Sequence, residues 1–313
     1  MTFHTQRYRA DMATEWNAFV AGSRNGTFLL DRGYMDYHRD RFEDHSLMLR
    51  DGDSRLVAVL PGNVEGGALH SHGGLTYGGL VLGQRSGAAD VLGMFDAVRA
   101  HMRNEGLTRL HYKTIPWIYH RQPAEDDRYA LFRAGARLSS REVLSVVQRE
   151  DRLPYQERRA RGIKAARKSG VVVVESTRFG EYWQVLADNL MARYGVLPVH
   201  SLDEIEMLHR RFPTAVRLFN ACDAGHVVAG AVIYETDRVA HVQYISANDA
   251  GRQLRALDLL FDSLLTTTFA DKMFVDFGNS SERAGEALNV GLVEQKEGFG
   301  ARTVVHDYYE LSA

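Results

Sequence analysis

The chain has 313 residues, 45% of them hydrophobic and 25% charged, with a formal net charge of −2. That length exceeds one typical core and predicts two domains, and the near-neutral charge gives no global basic field for DNA. One cysteine, Cys222, excludes an intrachain disulfide framework and a cysteine zinc site; it fits a reducing compartment and reads as a packed strand residue.

The N-terminus "MTFHTQRYRADMATEW" has no apolar core of a secretory signal, and no apolar run reaches the ~18–20 residues of a membrane span. The expectation is a cytoplasmic protein with no membrane span.

Two stretches then say the same thing. Residues 45–113 give a strand, a turn at Asp51-Gly52-Asp53, two more strands, a helical stretch and a fourth strand. In that helix Val91, Phe95, Val98 and Met102 recur at helical spacing. Residues 215–280 repeat the order, with a turn at Asp223-Ala224-Gly225 and a stripe of Leu254, Leu257, Phe261, Leu264 and Leu265. Three antiparallel strands followed by a strand–helix–strand crossover make an α+β fold.

Between the copies lies a basic helical segment, 152–168, with seven Lys/Arg against one Glu. It reads either as a solvated helix face or as contact with a phosphate-bearing ligand. The strand "VVVVES" and helices over about 178–193 and 201–211 follow. The domain boundary is placed near residue 150, giving domains 1–150 and 151–313.

Several side chains have chemistry to offer. The strand "RVAHVQYIS" alternates, so His241, Gln243 and Ile245 share one face and Val242, Tyr244 and Ser246 the other. His241 is either a satisfied half-buried histidine or a general base for an attacking amine, with Gln243 orienting the acceptor. His70 and His72 occupy one face of the matching first-copy strand. Without acidic or cysteine ligands beside them they do not make a metal site.

Tyr77 sits among glycine pairs that permit close approach of a ligand. "KTIPWIYHRQP" supplies Lys113, Trp117, Tyr119 and His120, either as a packed aromatic corner or as a sugar or nucleotide site. Its second-copy counterpart, "DFGNSSE", includes Asn279.

Three stretches carry a resemblance: "RRARGIKAARKSGVVV" at 158–173, "FGNSSERAGEALNVGLVEQKEGFGAR" at 277–302, and "GGLTYGGLVL" with "HYKTIPWIYHRQPAEDDRYALFRAGA" at 73–82 and 111–136. In this order they resemble the tandem GNAT N-acyltransferases. More closely they are similar to the Fem-type peptidyltransferases and their acyltransferase relatives in bacterial polysaccharide gene clusters.

The resemblance implies two tandem GNAT-like domains, the first on the acceptor side, the second for donor binding and catalysis. It implies direct acyl transfer from acyl-coenzyme A, a co-substrate rather than a tightly bound cofactor, to an amine of a small-molecule or glycan acceptor such as a cell-envelope precursor. Two rivals remain: an aminoacyl-tRNA-dependent ligase, which makes tRNA a possible partner, and a non-catalytic binding protein. An exposed edge strand would support a homodimer.

The family's pyrophosphate loop is incomplete here. "NDAGRQLRALD" keeps one glycine, Gly251, with Arg252 and Arg255 adding charge. The long coiled-coil arm of some members is missing. Lys296 has two readings from spacing: a solvated lysine near a helix end, or a charge meeting substrate. The resemblance favours the second, with Lys296 stabilising a tetrahedral oxyanion.

Overall fold

A computed structural model describes residues 2–313. The chain forms two compact units. The first holds Met1–Glu142, Arg283–Glu286 and Val305–Ala313; the second holds Val143–Glu282 and Ala287–Val304. The division falls at 142/143 rather than near 150, inside the strand Arg137–Gln148. The last nine residues return to the first unit because Tyr308–Ser312 pair antiparallel with Arg109–Lys113. Linear reading cannot see such a return.

In the first unit His4–Arg7, Leu47–Arg50, Leu56–Leu60 and Val81–Leu82 form an antiparallel sheet in that order. Asn63–Glu65 and Ala68–His70 pair antiparallel, and Ala68–His70 runs parallel to Arg109–Lys113. The helix Ala88–Asn104 buries Val91, Met94, Phe95, Val98 and Met102 against Leu47, Leu49, Leu110 and Tyr112. The expected stripe is therefore present and gains Met94.

The expected third strand is interrupted. "HSHGGLTYGGL" turns on itself, with His72 at φ 60° and Gly78 so close to Ser71 that a Cβ would lie 1.9 Å from its carbonyl oxygen.

In the second unit Val172–Ser176, Val216–Asp223, His226–Glu235 and Val239–Ala247 run antiparallel in that order. Phe274–Asn279 lies beside Val239–Ala247 in parallel and pairs on its other edge with residues 144–148. One face of this sheet carries the helices Glu157–Lys168 and Ala256–Ser263. They bury Ile163, Ala166, Leu260 and Phe261 against Phe219, Ala231, Ile233 and Val242. The helix Phe179–Tyr194 packs Tyr182 against Gly230 and Trp183 against Tyr244. Leu202–Arg211 follows, started by a capping box of Ser201 and Glu204.

The helical stripe expected from Leu254 onward is broken. Arg255 adopts φ 57°, so a short turn Asp249–Gln253 precedes Ala256–Ser263, and Leu264–Thr268 closes as a π-helix. Phe261, Leu264 and Leu265 are still buried, because the stripe's period survives the break.

The two helices on one face cross closely. A Cβ on Gly162 would lie 1.9 Å from Asp258 Oδ2, and that carboxylate binds Arg159 Nη1 at 2.5 Å. Gly162→Ala is expected to cost about 1–3 kcal/mol, read as a lowered Tm.

A second prediction concerns Asp127. It accepts a hydrogen bond from Tyr112 Oη at 2.6 Å, and burial pushes its carboxyl up to about 6. A raised folded value means stability is present at low pH and lost as pH rises through about 6. The Tm of the wild type relative to Asp127→Asn should therefore fall between about pH 4 and pH 6, and a flat difference would refute the assignment.

Candidate active site

In the second unit the strands Val239–Ala247 and Phe274–Asn279 begin side by side and then part. They pair only over Val239–His241 with Phe274–Asp276. Beyond that, residues 242–247 and 277–279 are unpaired with each other and leave a wedge between two parallel strands. Backbone N–H and C=O groups facing such a wedge need other partners, and a ligand can supply them.

The last pair before the wedge is His241 and Asp276. His241 Nδ1 lies 3.0 Å from Asp276 Oδ2, and both residues are buried. A carboxylate only accepts, so Nδ1 carries the proton and Nε2 is the basic nitrogen. Asp276 Oδ1 accepts from Gly278 N at 2.7 Å. Gly278 has φ 72°, and a Cβ there would approach the His241 ring at 3.4 Å. The left-handed φ favours glycine here, while the His241 ring lies at ordinary contact distance.

Lys296 closes this arrangement from the other side. It ends the helix Val290–Glu297, which is N-capped by Asn289. Nζ donates to Gly278 O at 2.9 Å, Asn279 O at 2.8 Å and Ser280 Oγ at 2.8 Å. An ammonium has three donors, so all three are spent on this strand end. Burial pulls its pKa down to about 8, opposed by the Asp276 charge. Only 6% of the residue is exposed, which is unlike a solvated lysine.

The strand Val239–Ala247 carries a β-bulge. Val242 pairs with Ile233 and Tyr244 with Val232, which leaves Gln243 as the extra residue. Alternation is thereby reversed. His241 and Tyr244 now share a face, and Val242 joins Ile245 and Ala247 in the helix-covered core. The sequence reading placed His241 with Gln243 and Ile245; one inserted residue overturns that. Gln243 Oε1 is buried without a hydrogen-bond partner. Tyr244 Oη meets His200 Nδ1 at 2.6 Å.

The wide side of the wedge opens on a cavity of about 840 Å³. Ile245, Ser246 and Ala247 form one wall. Six arginines line it: Arg158, Arg159, Arg161, Arg193, Arg252 and Arg255. Asp258 is the one acidic lining residue, and Arg159 pairs with it. Arg252 pairs with Asp249. The side chains of Arg193 and Arg255 have no ion pair or hydrogen bond among the described residues.

Gly251, Arg252 and Arg255 all line this cavity, and the basic segment supplies three more arginines. Gly251 sits where a Cβ would strike Val228 O at 2.2 Å. A cavity with this charge suits a ligand bearing several phosphates.

The first-unit candidates gather elsewhere, inside that unit. Tyr77 is buried, with Oη 2.8 Å from Thr27 Oγ1 and its ring against Tyr119. His120 Nε2 lies 3.0 Å from Ile115 O. Lys113 Nζ donates to Leu75 O at 2.5 Å, and burial pulls its pKa down to about 8. His72 is buried with Nδ1 unpartnered, and burial holds it down to about 3, so it is neutral. Trp117 is 44% exposed. Of these, Tyr77, Tyr119 and His120 are buried together, while Trp117 faces solvent. Among the described residues no group of three or more His, Cys, Asp or Glu is placed to hold a metal ion. No helix there is long and apolar enough to cross a membrane.

Sequence reasoning quoted Asp276 inside "DFGNSSE" but gave it no role. An Asp two residues before a glycine is a common turn, and its pairing with His241 needs the parallel register. It also missed Arg193 and Ser280. The cluster of arginines was visible only in part, as the basic run.

Residues 155–284 match the family model described as an acetyltransferase (GNAT) domain. No curated protein sequence matches the chain. Among solved structures, FemX superposes with a TM-score of 0.67 at 12% identity, covering 97% of this chain and 96% of that one. L-PGS from Bacillus licheniformis gives 0.62 at 12% identity, covering 97% and 91%. A tandem GNAT protein from the clavulanic acid biosynthesis pathway gives 0.51 at 11% identity, covering 99% and 98%. At such identities the likeness is one of fold. Residues 155–284 thus match a GNAT acetyltransferase domain model, and the chain as a whole has the fold seen in FemX and in a tandem GNAT protein.

Proposed function

We propose that the protein is an N-acyltransferase that moves an acyl group from acyl-coenzyme A to the amine of a polar acceptor, an amino sugar or a cell-envelope precursor. The observation that carries this reading is the wedge, with a His–Asp pair at its narrow end and six arginines around its wide end.

In this reading the donor's phosphates lie in the arginine-lined cavity, against Gly251, Arg252 and Arg255. The acyl thioester enters the wedge. His241 Nε2 removes the proton from the attacking amine, and Asp276 holds the ring and stabilises the imidazolium. The amine nitrogen bonds to the thioester carbon, and the carbonyl oxygen gains the charge. The bulged backbone at Gln243 supplies an N–H for that oxyanion. The C–S bond then breaks and releases the coenzyme A thiolate.

Gln243 Oε1, a buried acceptor with no partner, accepts from the incoming amine. Asn279 lines the acceptor side. Lys296 keeps the Gly278–Ser280 turn in place and adds positive charge near the reacting carbonyl.

A second reading, an aminoacyl-tRNA donor, is favoured by one feature. Arg158, Arg159 and Arg161 bring three charges from one helix to the cavity. The chemistry at His241 would be the same, with an ester in place of the thioester.

Thermal unfolding with acetyl-coenzyme A tests the donor. A hundredfold excess over Kd adds about 2.7 kcal/mol, which raises Tm by several degrees. No rise at millimolar ligand would remove the acyl-coenzyme A reading, and salt-sensitive binding of charged tRNA would replace it. His241→Ala should keep the thermal shift and lower kcat by about 10²–10⁴-fold.

Lys296 gives a pH prediction. Its folded value of about 8 lies below the ordinary 10.5. The folded state therefore releases this proton first, and stability rises with pH from about 8 toward 10.5. Activity should fall over the same range, as the strand end loses its ammonium clamp. Opposite trends in Tm and kcat, with the Tm trend absent in Lys296→Met, would confirm the assignment.

A further inference from the structure

Large exposed apolar side chains concentrate in one place. Met191, Tyr194, Val196, Leu197 and Val199 are 50–77% exposed within nine residues. They belong to the end of the helix Phe179–Tyr194 and the loop that leads to Leu202–Arg211.

The loop is held at both ends. Gly195 closes the first helix at φ 67°, with its N–H on Met191 O. His200 is buried and bonds Tyr244 Oη, and Ser201 caps the next helix. Between these anchors Val196, Leu197 and Val199 stand exposed to solvent. Connecting loops are normally polar, so this display needs a partner.

Charge and size narrow that partner. Residues 189–202 contain no Asp or Glu and include Arg193. Arg193 and Tyr194 both line the arginine-rich cavity, and Arg252 Nη1 reaches Asn189 Oδ1 at 3.2 Å. Apolar side chains thus stand beside cationic ones. A second copy of the chain is a poor fit, since stable protein interfaces use roughly 20–30 residues a side. One short loop suits shallow insertion between lipid headgroups, with the arginines on anionic phosphates.

We propose that the loop Tyr194–Val199 docks the second unit on an anionic lipid surface, with Leu197 and Val199 inserted and Arg193 meeting headgroup phosphate. This does not depend on the acyl-transfer reading. It concerns one rim of the cavity, so a soluble donor can enter along the walls formed by residues 158–165 and 251–258.

The test is co-sedimentation of the full chain with two kinds of vesicle, phosphatidylcholine alone and phosphatidylcholine mixed with phosphatidylglycerol. Wild type should pellet with the mixed vesicles and less so as salt rises. The double variant Leu197→Asp, Val199→Asp should lose about tenfold or more of that binding while its Tm stays unchanged. Arg193→Gln should weaken binding and flatten its salt dependence.

Wild type remaining in the supernatant with both vesicles would overturn the proposal, as would equal binding by the double variant. A dimer in analytical ultracentrifugation that the double variant abolishes would assign the loop to a second copy instead. Failure of acyl transfer would leave the vesicle result standing, so the two readings are separable.

Discussion

The second unit is organised around one buried carboxylate. Asp276 ends the paired stretch of two parallel strands, fixes the His241 tautomer through one oxygen and binds Gly278 N through the other. Lys296 then spends its three donors on the residues immediately after it. A buried charge is costly unless fully paired, and here both Asp276 oxygens and all three Lys296 donors have partners. The wedge opens at this point because the strand end is tied to Lys296 and Gly278 rather than to its parallel neighbour.

The hydrophobic core serves that constraint. Phe277 alternates with Asp276 and Gly278, and its ring meets Phe261 and Phe299. Phe299 follows Lys296 by three residues, and Arg159 stacks on it while binding Asp258. One aromatic cluster therefore fixes the strand end, the lysine helix and a helix of the cavity wall together. Ring burial makes their relative placement stiff, which is what preorganised electrostatics requires.

The two halves of the repeat have diverged in their polar chemistry. In the second unit His241, Asp276 and Lys296, from two strands and a helix, gather at the end of the crossover strand beside open space. In the first, Tyr77, Tyr119 and His120 are buried, and Lys113, Tyr77 and His120 bond to groups of the same unit. Equivalent positions in the repeat need not share a role, because exposure differs.

Much was legible in the sequence because it depends on local pattern. Apolar periodicity gave the repeated strand–helix–strand order and the helices over about 178–193 and 201–211, and the resemblance to a pyrophosphate loop pointed to Gly251, Arg252 and Arg255. What pattern cannot carry is register. A single bulged residue, Gln243, moved His241 to the face of Tyr244, and only the parallel pairing set it against Asp276. Burial was equally silent: Lys296 reads from spacing as a solvated helix-end lysine or a substrate-facing charge, and folding buries it with three acceptors on its nitrogen. Sequence determined the elements and their order, because propensity and period act over a few residues. Tertiary structure alone decided the site, because its partners lie tens of residues apart and meet only through strand pairing.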